Sequence, residues 1–123
     1  MSTLVPCPAV PAAIPGLAIA AAGAVFGATP HAIATPTRRT AIARARQFAV
    51  YLHHVALGES LSACARLFRR DRATVRHACA RIEDMRDDTS FDFGVMLLER
   101  ALVAQRDLAL ALVAASANGE SAQ

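Results

Sequence analysis

Arg72 and Arg76 stand four residues apart in the stretch RRDRATVRHACARIEDMRDD, residues 69–88, with Ala73, Thr74 and His77 around them. On a helix this spacing brings both guanidiniums onto one face, a turn apart. A guanidinium is a rigid fork of donors that fits the paired O6 and N7 acceptors of guanine in a DNA major groove. Small or methyl-bearing side chains such as those of Ala73 and Thr74 can approach a thymine methyl. His77 is a weaker candidate for base contact, and Asp71 can both cap the helix and accept a hydrogen bond from a cytosine amine. Arg69 and Arg70 just ahead, and Arg44 and Arg46 further upstream, are candidate phosphate clamps, which position a duplex without reading it. Arg38 and Arg39 sit in a loop containing Pro and Thr, from which an extended arm could enter the adjacent minor groove. Taken singly, each Arg is explained by surface solubility. Their convergence on one short region argues for a site.

That region needs elements to hold it. Ser60 is suited to cap a helix of about two turns whose apolar stripe is Leu61, Cys64, Ala65 and Phe68. After a tight Arg-Arg connection, Asp71 caps a further helix with the stripe Val75, Ala78, Cys79, Ile82 and Met85, so that Arg72, Ala73, Arg76, His77 and Ala80 face away from the core. A short helix, a turn and a longer helix that exposes basic residues in its first turns make the helix-turn-helix pattern.

Upstream, residues 41–57 form a long helix buried through Ala45, Phe48, Ala49, Leu52, Val55 and Ala56 and closed by Gly58. Arg44, Arg46, Gln47, Tyr51, His53 and His54 lie mostly off its apolar face. Two shorter helices precede it. One spans residues 16–26 and ends at Gly27; the other starts at Thr29-Pro30 and is stopped by Pro36. Four prolines mark residues 1–15 as a flexible tail. The last helix is expected over residues 91–117, capped by Ser90, with Val95, Leu98 and Leu102 packed on the domain. Its Ala- and Leu-rich second half is expected to fray or lie on its own core, with docking to a partner as the other reading. The expected organisation is thus a tail (1–15), an all-α domain (16–90), a C-terminal helix (91–117) and a short tail (118–123).

Charge is segregated along the chain. The net charge is +3 over 123 residues, yet residues 38–82 carry ten Arg against Glu59 and Asp71, net +8. Residues 83–123 carry three Arg against eight acidic residues, net −5, and the first 37 residues have no charged side chain. A basic patch of this kind suits an anionic partner such as nucleic acid.

All thirteen basic residues are Arg, which excludes chemistry that needs a P-loop lysine, a Schiff-base lysine or a Ser-Lys dyad. His53 and His54 are adjacent and diverge by about 100° on a helix, so they cannot share a metal. His77 and Cys79 point to different faces, and Asp87 and Asp88 read as a solvated connector without a catalytic partner. No enzyme activity, metal or cofactor is expected. Cys7, Cys64 and Cys79 are an odd number without CxxC spacing, which fits a reducing cytoplasm better than a disulfide framework. The apolar stretch of residues 11–28 lacks a basic leader and is broken by Pro and Gly, so no membrane span is expected.

The stretch ARARQFAVYLHHVALGESLSACARLFRRDRATVRHACARIEDMRDD resembles domain IV, the C-terminal DNA-binding domain, of the bacterial chromosomal replication initiator family DnaA. The likeness rests on Ala43 to Gln47, Ser60-Leu61, Phe68, Asp71 to Val75, His77-Ala78-Cys79 and Ile82-Glu83. It covers about residues 16–90. By this resemblance Arg38 stands where the family's basic loop enters the minor groove, Arg46 matches a phosphate contact and His54 stands where a basic phosphate contact is common. Asp71, Arg72, Ala73 and Thr74 occupy the signature that reads the initiator's recognition box. Two positions depart from it: Arg72 replaces a His and Ala73 replaces a Thr, which changes the donor and acceptor pattern offered to the bases.

The resemblance implies a helix-turn-helix protein that binds double-stranded DNA in the cytoplasm, at the nucleoid, and regulates replication initiation or transcription. With no counterpart of the family's nucleotide-binding module in view, it would do so without ATPase activity. The other reading is a protein-interaction module that binds DnaA or an Hda-type regulator. Neither reading sets the oligomeric state.

Overall fold

The computed structural model describes residues 13–34 and 40–121, which form six α-helices and one π-helical turn. In chain order these are α1 (Ala13–Phe26), α2 (Pro30–Ala34), α3 (Thr40–Tyr51), the π-turn (Leu52–Ala56), α4 (Leu61–Phe68), α5 (Arg72–Met85) and α6 (Thr89–Ser121). The fold is all-α, with α4, its turn and α5 as the helix-turn-helix. Arg38, Arg39 and Pro36 lie outside the described residues.

α3 is the hub. It packs on α1, α2 and α5, while α6 crosses α1 and the π-turn. The main core gathers Ala18 and Ala22 of α1, Phe48, Ala49 and Tyr51 of α3, Leu52, Ile82 of α5, and Val95 and Leu102 of α6. Phe48 is its aromatic centre. Its ring meets Phe26 edge-on at 5.7 Å and Phe91 at 5.9 Å, and stacks near Tyr51 at 6.5 Å. A smaller cluster of Val50, Cys64, Val75 and Ala78 joins α3, α4 and α5 beneath the helix-turn-helix.

Local chemistry sets most boundaries. The hydroxyl of Thr29 accepts from the amide of Ala32 and that of Ser60 from Ala63, so each caps the helix that follows. Gly27 and Gly58 take positive φ (69° and 74°), the left-handed conformation that ends a helix without a Cβ penalty. α1 begins at Ala13, three residues before the sequence reading placed it, with Pro15 in its first turn, where a backbone N–H has no intrahelical partner to lose.

Two expectations are corrected. The helix expected over residues 41–57 is not α-helical throughout, because residues 52–56 widen into a π-turn, with the amide of Leu57 bonded to the carbonyl of Leu52. One extra residue per turn shifts the phase of everything downstream by about 100°. His53, placed off the apolar face by a uniform helical period, is therefore buried, while Val55 is 46% exposed; Tyr51, also placed off that face, is buried at the last α-helical position before the turn. The ring of His53 packs edge-on against Phe68 at 5.4 Å. The second correction concerns α6, whose capping side chain is Asp88 rather than Ser90: Asp88 Oδ1 accepts from the amides of Ser90 and Phe91. α6 also runs on to Ser121, and beyond Ala109 its side chains are exposed through Asn118, so its second half does not lie on the domain's own core.

Candidate nucleic-acid interface

The turn between α4 and α5 is tight because α4 ends in a Schellman motif. Arg69 adopts φ 55°, the amide of Arg70 bonds back to the carbonyl of Ala65, and the amide of Arg69 bonds to that of Arg66. Glycine is the usual occupant of this left-handed position, and an L-residue there is strained by about 1 kcal/mol. Arg69 carries that strain with its side chain exposed. Asp71 follows at once as the cap of α5, its Oδ1 accepting from the amide of Thr74 at 2.7 Å. That backbone bond holds the Asp71 carboxyl below its ordinary range.

α5 then divides by face. Val75, Ala78 and Ile82 are buried, whereas Arg72, Ala73, Thr74, Arg76 and His77 are all exposed in its first two turns. The candidate base-reading residues thus share the N-terminal end of one helix.

Beside this end lies a cleft of about 100 Å³ lined by Ala43, Arg46, Gln47, Val50, Arg70, Thr74, Val75 and Ala78. Arg46 comes from α3 and Arg70 from the turn, and no carboxylate stands among the lining residues. Arg46 donates from Nε to the carbonyl of Ile33 at 2.9 Å, which ties α2 to α3 and orients the guanidinium. Burial, and then the positive charge of Arg70, push the Arg46 guanidinium below its ordinary pKa. Arg70 is steadied by its own turn, donating from Nη1 to the carbonyls of Arg69 and Phe68. Two guanidiniums held near each other beside the first turn of a helix form a concave positive site, and an anion there relieves their repulsion.

The other candidates are placed less uniformly. Arg44 donates to the Gln47 side chain at 3.2 Å, on the same stretch of α3 as Arg46. Sequence reasoning passed over Gln47, although its i+3 spacing from Arg44 was the signal that could have found it. His54 sits in the π-turn with Nδ1 2.7 Å from the carbonyl oxygen of Glu59, and it is not among the residues lining the cleft.

Asp87 and Asp88 are exposed between α5 and α6, whereas Glu83 and Arg86 beside them anchor the end of α5. Arg86 donates to Tyr51 Oη at 2.7 Å, to Asp92 at 2.6 Å and to both oxygens of Glu99 at 3.2 Å, and Tyr51 donates to Glu83. This network binds the end of α5 to α3 and α6. No group of three or more His, Cys, Asp or Glu side chains that could hold a metal occurs among the described residues, and none of their helices is long and apolar enough to cross a membrane.

Comparison with known proteins fits this geometry. The family model described as the bacterial dnaA protein helix-turn-helix matches residues 19–82, from α1 through most of α5. The chromosomal replication initiator protein DnaA of Gluconobacter oxydans (strain 621H) is 45% identical over 67 residues, covering 53% of this chain and 14% of that protein. The chain therefore spans only a small part of that curated relative. No solved structure matches. With the family match covering just over half of the chain and every described residue of the candidate interface, the chain belongs to the bacterial DnaA helix-turn-helix family.

Proposed function

We propose that this protein binds double-stranded DNA through α5 and its flanking turn, and thereby regulates replication initiation or transcription without ATPase activity of its own. The observation that carries the reading is the juxtaposition of the Arg46–Arg70 cleft with the exposed N-terminal turns of α5. A phosphate in the cleft would sit beside the capped end of the helix, and it would fix the angle at which Arg72 and Arg76 enter the major groove. Arg69 and Arg44 extend the phosphate-contacting surface on either side, Arg38 and Arg39 supply the minor-groove arm, and His54 is a more distant phosphate contact. Asp71 combines capping with acceptance from a cytosine amine. Arg72, Ala73, Thr74, Arg76 and His77 provide the base-facing surface.

The DnaA relative's name, chromosomal replication initiator protein, supports replication as the process served. The replacement of the signature His and Thr by Arg72 and Ala73 supports a preferred site that differs from the initiator's box, because a guanidinium favours guanine acceptors. The test is a fluorescence-anisotropy titration of the full chain against box-bearing, guanine-substituted and scrambled duplexes over a range of salt. Binding that weakens linearly on a log–log salt plot and ranks the duplexes is expected. Absence of salt-sensitive binding to any of them overturns the proposal.

A further inference from the structure

α6 carries two apolar faces, and the domain covers only one. Val95 and Leu102 are buried in the core with Leu98 packed against it, whereas a second stripe on the opposite side stays in solvent. That stripe runs through Phe93, Leu97, Ala101, Ala104, Leu108 and Leu112, about 30 Å of helix without a charge on it. Its four large members are 58, 49, 55 and 62% exposed, far more than a soluble helix needs to leave open. The stripe lies beyond residues 19–82, so the family match does not account for it.

The order of residue sizes identifies the occupant. About the midpoint between residues 102 and 103 the stripe is palindromic: Phe93 mirrors Leu112, Leu97 mirrors Leu108, and Ala101 mirrors Ala104. We propose that α6 pairs antiparallel with α6 of a second copy of this chain, through a two-fold axis at that midpoint. A two-fold interface requires that residue i meet j while j meets i, and a palindromic stripe satisfies this with every layer matched. Size follows geometry as well. Two crossing helices approach most closely at the axis, where Ala101 and Ala104 allow contact at about 8 Å, and diverge outward, where Leu and Phe fill the widening gap. Another protein's helix would impose no such symmetry.

Charge agrees with this register. Arg100 and Asp107 flank the stripe on one side, and in the antiparallel pair each Arg100 lies beside Asp107 of the second copy, one such pair at either side of the axis. In a parallel pair Arg100 would face Gln105 instead. Asp107 already accepts from Arg106 of its own chain at 3.2 Å, and its side chain, 63% exposed, keeps room for a second cation. The pairing stands on α6 alone and does not rest on the DNA-binding proposal. Its consequence for that proposal is a particle with two recognition helices.

Sedimentation velocity of the full chain over a range of concentration tests the assignment. A reversible dimer is expected, with Leu97→Asp and Leu108→Asp each monomeric at unchanged helical circular dichroism. Orientation is tested by charge. Arg100→Asp places Asp against Asp across the axis and Asp107→Arg places Arg against Arg, so each variant alone should self-associate about tenfold more weakly. Mixed together they should form a heterodimer with affinity close to the native one, because every pair is then opposite in sign. A native chain that stays monomeric, or assembles into open-ended oligomers, overturns the proposal. So does failure of the mixed variants to recover association, since only the antiparallel register pairs these two positions.

Discussion

Arg86 donates a 2.7 Å hydrogen bond to the hydroxyl of Tyr51, joining the end of α5 to the last α-helical residue of α3 at the point where the π-turn begins. The same guanidinium reaches Asp92 and Glu99 on α6. Three helices therefore share one cation, whose side chain is 21% exposed. Arg86→Met keeps the apolar stem but leaves the Tyr51 hydroxyl and the Glu99 carboxylate without this donor, and a loss of about 2–3 kcal/mol is expected in urea unfolding. Tyr51→Phe, which removes only the hydroxyl, should cost about 1 kcal/mol.

The titration of Tyr51 is a second readout of this contact. Burial pushes its phenol up to about 12; Arg86 opposes the shift, while Glu83 and Glu99 add to it. A group that keeps its proton longer in the folded state stabilises the fold below its unfolded pKa, and that contribution fades as pH rises from about 10 toward 12. Tyr51 is the chain's single tyrosine, so phenolate absorbance reports it alone. In urea the phenol should be half-ionised near pH 10, where the native protein still holds it protonated.

Base reading and phosphate clamping should separate by mutation. Arg72→Ala and Arg76→Ala should each weaken binding to the preferred duplex by about 1–3 kcal/mol and reduce discrimination against scrambled sequence. Arg70→Ala should weaken both duplexes alike and lower the salt slope by about one. Anisotropy titrations at three salt concentrations distinguish the two patterns, and a uniform effect from Arg72→Ala would remove it from base reading.

Arg69 should trade stability for binding. Arg69→Gly relieves about 1 kcal/mol of left-handed strain and gives back about 0.5 kcal/mol through the entropy of glycine in the unfolded chain. A net stabilisation of about 0.5 kcal/mol by thermal unfolding is expected, together with weaker, less salt-dependent DNA binding. A variant that is both more stable and equally tight would show that the strain serves no contact.

Cys64 is nearly inaccessible and its thiol is pushed up to about 12, chiefly by burial, with Cys79 and Glu59 adding to the shift. Because the thiolate is the reactive form, Cys64 should resist alkylation at neutral pH until the chain unfolds. Mass spectrometry of peptides after timed labelling, with and without urea, checks this; labelling of native Cys64 at the rate of a free thiol would contradict it.

Much of this protein is legible in its sequence because local groups decide local structure. The caps Thr29, Ser60 and Asp71 and the stops at Gly27 and Gly58 depend on atoms within four residues of each other, and such interactions survive whatever the rest of the chain does. The apolar stripe of α5 is legible from its helical spacing, although α3 and α4 are among the elements that bury it. The outward face of α5 follows from its inward one by helical period, so Arg72, Ala73, Arg76 and His77 could be placed in solvent from spacing alone.

What the sequence could not decide rests on contacts between residues far apart in the chain. The π-turn arises where Tyr51, Leu52 and His53 must enter the core together, and a uniform 3.6-residue period cannot anticipate a register shift imposed by packing. Nothing in the residues next to Arg86 marks it as a bridge; α3 and α6 bring Tyr51, Asp92 and Glu99 around it. The opposition of Arg46 and Arg70 across one cleft depends on how α3 lies against the turn. The face of α6 through Val95, Leu98 and Leu102 follows from spacing, but only the position of α6 against the domain shows that the second stripe, through Phe93, Leu97, Leu108 and Leu112, remains in solvent. Residue type sets what each side chain can do; burial and long-range neighbours set which of those capacities is used, because desolvation and charge pairing act through distance in space rather than along the chain.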